Sequence, residues 1–469
     1  MSDRPATSHR SHPLRPSLAV VLLMALSGVA AIANAQAATD TQRDAAEQRR
    51  IQERATQAEQ QQRAPDVRLA APVTTAKTLP QGEAPCFPIQ QLELRGEGAG
   101  EFGWVLNALA GPQGTDGPLR KCIGTQGIGI LLERAQNAVV AKGFVTTRVL
   151  AQGQDLSTGN LVLTVVPGRI RQVRFADKDG KAVAAPTSLA TAVPAKPGDI
   201  LNLRDVEQAL ENLKRVPTAD ADIQITPADQ PDQSDLVIAY QSKTPVRVTL
   251  SLDDSGGKST GRYQSGATVS WDNPLGLNDL FYVTLNHDAG GGDPGARGTR
   301  GHTAQYSVPF GYWTLSASLG ESRYYQAVKG VASDYVYSGT SGNADLKLSR
   351  LVYRDAVRKT TAYLKAFERH SNNYVDDTEV QIQRRVVGGW EAGLGHKEFV
   401  GSATVEANVT YKRGTRDFAA IDAPEESTGD GTARFGLWTA DVSLAQPPSW
   451  PAKLCVTKAA YASKATTPR

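Results

Sequence analysis

Residues 201–217 read LNLRDVEQALENLKRVP, and the chain on either side of them obeys two different periodicities. Leu203, Val206, Leu210 and Leu213 recur at helical spacing, which predicts a short amphipathic helix with Arg204, Asp205, Glu207, Glu211 and Lys214 turned to water. Asn202 is placed to cap the first turn, Asp205 suits the positive helix end, and Pro217 stops the helix.

Two similar units lie on the N-terminal side of this boundary. In residues 86–168, Ile89, Leu92 and Leu94 start a strand, a short helix is expected from Phe102, and Ile128, Leu131, Leu132, Ala135 and Val139 form a helical stripe. Two strands follow, the second over Leu161 to Val166. Residues 169–243 repeat the order: a strand at Ile170, Val173 and Phe175, a short helix near Ser188, the helix quoted above, then strands at Ile223-Gln224-Ile225 and Leu236-Val237-Ile238. Duplication of a small α+β module without catalytic punctuation points to tandem binding domains. Pro167-Gly168 joins them with no room for a flexible tether.

On the C-terminal side, from about Pro245, alternation takes over. Val246, Val248, Leu250 and Leu252 share one face, and Trp271, Val283, Leu315, Val405 and Val442 belong to further segments of the same kind. About ten such segments predict an antiparallel sheet with one apolar face. Two closures satisfy it, a sandwich with that face inward or a membrane barrel with it outward. Segments near ten residues long and aromatics near their ends favour the barrel. A mean hydropathy of −0.34 does not argue against it, because lipid-facing and lumen-facing residues average out.

Residues 1–35 carry Arg4, Arg10 and Arg15, an apolar run, and Ala33-Asn34-Ala35, the pattern of a secretory signal. Residues 36–64 are nearly all Gln, Glu, Arg and Ala, a helix without an apolar face, suited either to solvent or to a water-filled lumen. The prolines of 65–85 read as an extended linker. Export exposes Cys86 and Cys122 to an oxidising compartment, where they can pair; two free buried thiols are the alternative. The 51 Lys and Arg against 48 Asp and Glu leave a net charge of +3, too little to hold a nucleic acid. His287, His302, His370 and His396 are dispersed, without metal-ligand or catalytic spacing, and are expected at strand ends or in a lumen. Gly257-Lys258-Ser259 lacks the first glycine of a phosphate loop and reads as a hairpin turn. Neither an enzyme nor a cofactor is expected.

In this order the chain resembles the outer-membrane transporters of two-partner secretion, the haemolysin and haemagglutinin secretion/activation family within the POTRA-plus-barrel superfamily. VVPGRIRQVRF at 165–175, the helix at 201–217 followed by SDLVI at 234–238, and WDNPLG at 271–276 carry the likeness. The resemblance implies a plug helix at 36–64, POTRA (polypeptide-transport-associated) domains at 86–168 and 169–243, and an antiparallel transmembrane β-barrel at 244–446. It also implies a monomer in outer-membrane lipid with its POTRA domains in the periplasm. Its partner would be a large secreted exoprotein, captured by its N-terminal secretion domain and passed through the barrel without ATP. Val206, Leu210, Leu213, Ile223 and Ile225 are the candidate partner contacts. A barrel-assembly factor and a non-transporting adhesive β-protein are the alternative functions.

The family barrel has sixteen strands, whereas about 200 residues after Pro245 hold only about ten. The lumenal loop with a Val-Arg-Gly-aromatic motif has no match. The tail 447–469 loses alternation and is expected to be irregular, as after a frame shift. An incomplete sheet would expose an unpaired edge to lipid, so impaired transport is expected.

Overall fold

The computed structural model describes residues 65–69, 77–177, 179–330, 333–429, 431–446 and 456–464, the last as backbone alone. The expected signal at 1–35 and plug helix at 36–64 lie outside the described residues.

The first α+β unit contains β1 (Phe87–Pro88), β2 (Gln91–Arg95), α1 (Val105–Ala108), β3 (Cys122–Ile123), α2 (Thr125–Ala141), β4 (Arg148–Leu150) and β5 (Asn160–Val166). Its sheet runs β2-β5-β4, with β2 parallel and β4 antiparallel to the central strand. Leu131, Ala135 and Val139 of α2 meet Leu161, Leu163 and Val165 in a closed core, which is why the helical stripe and the strand alternation are both readable. Cys86 is bonded to Cys122, their Cα atoms 5.2 Å apart, where β1 pairs with β3. Gly124 offers α2 no side-chain cap, and the Glu83 carboxylate replaces it by accepting from the amides of Gly124, Gln126 and Gly127.

The second unit repeats the topology. It comprises β6 (Arg169–Ala176), α3 (Leu189–Ala192), α4 (Leu203–Lys214), β7 (Ala219–Pro227) and β8 (Gln233–Ser242). The sheet order is β6-β8-β7, again one parallel and one antiparallel pair. The two units are locked together at their joint. The Leu201 amide donates to the Gly168 carbonyl and the Leu203 amide to that of Gly143, both at 2.8 Å. Gly143 sits at φ +98°, and a Cβ there would lie 2.3 Å from Asn202 Oδ1, so only glycine permits this approach.

The large sheet follows: β9 (Val246–Asp253), β10 (Gln264–Asp272), β11 (Leu280–Asp288), β12 (Arg297–Phe310), β13 (Trp313–Val328), β14 (Tyr335–Arg354), β15 (Arg358–Val375), the two-residue β16 (Thr378–Glu379), β17 (Arg385–Val400), β18 (Ala403–Thr415), β19 (Gly436–Ala445) and β20 (Val456–Lys464). Each strand pairs antiparallel with its sequence neighbour from β9 to β20, with β16 a side branch on β15. Strand β20 corrects the expectation of an irregular tail, for Val456–Lys464 pairs in unbroken register with β19 from Ala445 to Leu437. The sheet therefore has eleven strands on its path rather than about ten. Strands β9 and β20 are its edges and do not pair with each other among the described residues.

Its two faces identify the surroundings. Leu250, Leu285, Leu319, Leu346, Leu364, Leu394 and Val442 are all exposed on one face. The opposite face is polar and internally paired: Arg369 bonds Asp345 at 2.9 Å, Lys365 bonds Glu391 at 3.0 Å, and Asn408 bonds Asp441 at 3.0 Å. A sandwich would bury the apolar face, whereas a membrane barrel turns it to lipid and its polar face to the lumen. Exposed Trp271, Phe310 and Trp313 lie at the end nearest the α+β units, and Tyr325, Trp390 and Trp438 toward the other. Trp313 and Tyr325 are 12 residues apart on β13. At about 3.3 Å per residue and a tilt of about 40° they are separated by roughly 30 Å, the thickness of a hydrocarbon core. Turns at the end nearest the α+β units are as short as 311–312 and 401–402, while 416–435 connects strands at the far end. Short periplasmic turns and long outer loops are the asymmetry of outer-membrane barrels.

Candidate functional site

Helix α4 forms as its sequence dictates: Asn202 is the N-cap, its Oδ1 accepting from the Arg204 amide at 2.9 Å, with Asp205 in the first turn and Lys214 in the last. Val206, Leu210 and Leu213 are buried against the domain's own sheet. Ile223 and Ile225 are half-buried on the same cluster. Val206, Leu210 and Leu213, closed off in that core, offer no side-chain surface to a partner, whereas Ile223 and Ile225 keep part of theirs exposed.

The polar face departs from expectation in a more informative way. Arg204 (6% exposed), Glu207 (0%) and Glu211 (8%) were assigned to water, but here they are enclosed. Two pieces of chain cover them, the short turns of the barrel and the segment 65–69.

That segment runs alongside α4 in extended form. The Val67 amide donates to Glu211 Oε1 at 2.8 Å and the Leu69 amide to Glu207 Oε1 at 2.7 Å. The spacing explains the fit, since residues four apart on a helix are separated by about 6 Å of rise and amides two apart on an extended chain by about 6.6 Å. Each carboxylate thus stands opposite one amide, as a neighbouring strand's carbonyls would.

The barrel contributes Arg354, at the end of β14 and 2% exposed. Its Nε donates to Glu207 at 2.9 Å, Nη1 to Gln208 at 3.1 Å and Glu211 at 2.9 Å, and Nη2 to Glu211 at 3.0 Å and the Val67 carbonyl at 2.6 Å. All five guanidinium donors are used, and the Glu211 contact is bidentate. Lys359 bonds both Glu211 and Asp66, and Lys397 reaches Asp66 at 2.5 Å. Burial would raise the Asp66 pKa, but hydrogen bonds and charge attraction from Lys359 and Lys397 outweigh it and hold the carboxyl below its ordinary range. Arg68 stacks on Phe399, 4.0 Å from the ring centre.

A second set of contacts is made by barrel turns. The Asn212 amide donates to the Gly311 carbonyl at 2.8 Å, and Arg215 to Ser307 at 2.7 Å. Asn278, fully buried, donates to the Ser188 carbonyl and Thr191 Oγ1, both at 2.9 Å, and accepts from Thr187 at 3.0 Å. Asp272, 1% exposed, accepts from the Thr218 amide and hydroxyl and from Arg247. Linker, second α+β unit and large sheet are consequently one bonded unit.

Asp205 adds a pH dependence. Its carboxylate accepts from the Tyr312 hydroxyl. Burial, followed by the charge of Asp199, raises its pKa above the ordinary value despite that bond and Arg354. The folded state then holds the proton more tightly than the unfolded state does. Its full contribution is present below the unfolded pKa near 4 and is lost as pH rises through the higher folded value. Asp205→Asn keeps an acceptor for Tyr312 and removes the buried charge. The urea midpoint of the variant should exceed the wild-type value at pH 7 and coincide with it near pH 4. A lower midpoint at pH 7 would show that the charge stabilises the helix end instead.

Sequence reasoning missed the latch of Asp66, Glu207, Glu211, Arg354, Lys359 and Lys397. The available signal was a pair of acids four apart on a helix that already had a complete apolar stripe.

Known proteins resemble this chain in sequence and fold. Residues 232–465 match the family described as haemolysin secretion/activation protein ShlB/FhaC/HecB, residues 169–227 a POTRA domain, and residues 87–168 a ShlB-type POTRA domain. The outer membrane transporter CdiB-2 of Burkholderia pseudomallei is 34% identical over 449 residues, 92% of this chain and 75% of that protein. The hemolysin transporter protein ShlB of Serratia marcescens is 26% identical over 74% of this chain, which spans only 58% of its length. The solved structure of CdiB from Escherichia coli superposes with a TM-score of 0.75 at 25% identity, covering 89% of this chain and 76% of that one. The duplicated modules, the strand order and these likenesses agree: the chain belongs to the haemolysin secretion/activation (ShlB/FhaC/HecB) family, and is an outer-membrane protein whose two POTRA domains lie in the periplasm.

Proposed function

We propose that the chain is the transporter of a two-partner secretion pair. Its second POTRA domain takes an extended segment of a secreted exoprotein onto the edge of β7 and delivers it to the adjoining barrel without nucleotide. The observation that carries this reading is the open edge of β7. Strand β7 pairs only with β8 among the described residues. The register pairs Ala219 with Ser242 and Pro227 with Ser234, and the flanking bonds join Lys243 to Thr218 and Ala228 to Gln233. Even-numbered residues of β7 therefore bond to β8, and the N–H and C=O groups of Ile223 and Ile225 point away from it. These residues are partner contacts in this reading through their backbone, while their side chains serve the core. An added strand gains main-chain hydrogen bonds with little demand on its sequence, which suits a long client passing residue by residue. No nucleotide is needed if each captured segment is replaced by the next as the emerging exoprotein folds outside.

A photo-crosslinker at exposed Gln224 should capture the N-terminal secretion domain of the exoprotein partner, and Ile225→Pro should reduce both capture and secretion severalfold. Proline there removes an outward N–H and leaves the bonds to β8 intact. Secretion at the wild-type rate by a folded Ile225→Pro protein would refute edge capture.

A further inference from the structure

We infer that the outward face of the barrel carries a binding site for the phosphate groups of an outer-leaflet glycolipid, centred on Arg300 and Arg323. The inference rests on the reading of this sheet as an outer-membrane barrel.

Along β13 the outward residues run Trp313, Leu315, Ala317, Leu319, Glu321, Arg323 and Tyr325. Apolar side chains occupy the first part, and charge begins only near the end. Arg323 lies 10 residues beyond Trp313, roughly 25 Å higher by the rise and tilt used above, at the top of the apolar band. From about 5 Å below the level of Tyr325, the long arginine side chain reaches up to the headgroups of the outer leaflet.

At this level the register sets basic side chains side by side, two of them arginines. His287 of β11 is directly opposite Arg300 of β12, and Arg300 is directly opposite Arg323 of β13. Like charges in direct cross-strand opposition repel, and here they do so at the border of a low-dielectric medium that strengthens the repulsion. Few acids relieve it. Arg323 gives its Nε to Glu321 at 2.7 Å and keeps its Nη groups for another acceptor. His287 Nδ1 lies 2.7 Å from the Asp288 carbonyl and 3.7 Å from the Asp288 carboxylate, and among the described residues Arg300 has no ion pair. His287, Arg300 and Arg323 line two adjoining surface depressions, one of which continues over Thr340, His370 and Asn372. His287 shares the outward face with these arginines one residue from the end of β11, as expected of a strand-end residue, whereas His302 and His370 stand on that face within their strands, which corrects the expectation that placed them at strand ends or in the lumen.

A row of guanidinium forks bordered by hydroxyl and amide donors fits a phosphate monoester, which accepts bidentately and carries the charge that offsets the repulsion. The occupant is a lipid rather than a soluble anion because the site opens sideways, above exposed Leu285 and Leu319, where acyl chains would lie beneath the headgroup.

The test uses the full chain, expressed to the outer membrane and extracted in mild detergent. Lipid A is quantified by mass spectrometry per folded, heat-modifiable barrel. Wild-type protein should retain lipid A, and Arg300→Gln with Arg323→Gln should retain at least about fivefold less, in keeping with the loss of two charge-assisted contacts. Arg358→Gln, at the periplasmic rim, should retain the wild-type amount. Dephosphorylated lipid A should not refill the stripped wild-type protein, and millimolar inorganic phosphate should not displace the bound lipid. Equal retention by the double variant, equal refilling by the dephosphorylated lipid, or full displacement by inorganic phosphate would overturn the inference while leaving the barrel reading intact. A wild-type chain absent from the outer membrane would overturn both.

Discussion

Replacing Arg354 by Met should loosen the periplasmic latch by about 4 kcal/mol, because it strands two buried carboxylates whose principal counter-charge has gone. Glu207 and Glu211 would keep only Arg204 and Lys359, and the Val67 carbonyl would lose its donor. Methionine is close in length, so the packing of the stem survives while all five hydrogen bonds disappear. Hydrogen exchange at the Val67 and Leu69 amides should accelerate by up to about a thousandfold, with the barrel strands unchanged, since each 1.4 kcal/mol corresponds to about a factor of ten. Arg354→Lys should fall between, because an ammonium retains the charge but cannot serve Glu207, Gln208, Glu211 and Val67 together. Wild-type protection in Arg354→Met would mean that the remaining contacts, Asp66 with its two lysines, Arg68 on Phe399 and the amide bonds to Glu207 and Glu211, suffice to hold the linker.

The latch also shows where reading the sequence reaches its limit. Helix α4 was legible to within two residues at each end, because apolar spacing, an Asn cap and a proline stop are local signals. The sheet was legible because its alternation reports burial on one side and exposure on the other, in lipid as in water. Glu207 and Glu211 carry no such signal. An acid facing water and an acid facing an arginine 147 residues away look alike in one dimension. The same limit applied to β20, whose sequence VTKAAYASK has alanines where strands usually show branched residues, so that its pairing with β19 is visible only in the register. Ile223 and Ile225 mark a third case. Apolar side chains were the visible feature, whereas the groups left free for a partner are backbone ones that every residue possesses.

Asn278→Asp should cost about 4 kcal/mol at neutral pH although it changes a single atom type, and it tests whether the barrel turns hold the second POTRA domain in place. Asn278 is fully buried and donates to the Ser188 carbonyl and to Thr191 Oγ1. An aspartate would set a negative charge against the Ser188 carbonyl, beside the equally buried Asp279, which already shares the charge of Arg215. The backbone adds a constraint, since residue 278 has φ +59°, a conformation that Asn and Asp tolerate and alanine resists. Asn278→Ala should therefore cost about 3 kcal/mol, from lost bonds plus strain, and should do so equally at all pH values. The aspartate penalty must instead depend on pH. Its folded pKa would be raised, so the destabilisation is small below the unfolded value near 4 and grows as pH rises through the folded value. Protease sensitivity of the second POTRA domain, followed from pH 4 to pH 8, separates the two. A pH-independent Asn278→Asp phenotype would mean that the turn opens to solvent and that Asp272 and Arg354 carry the docking without it.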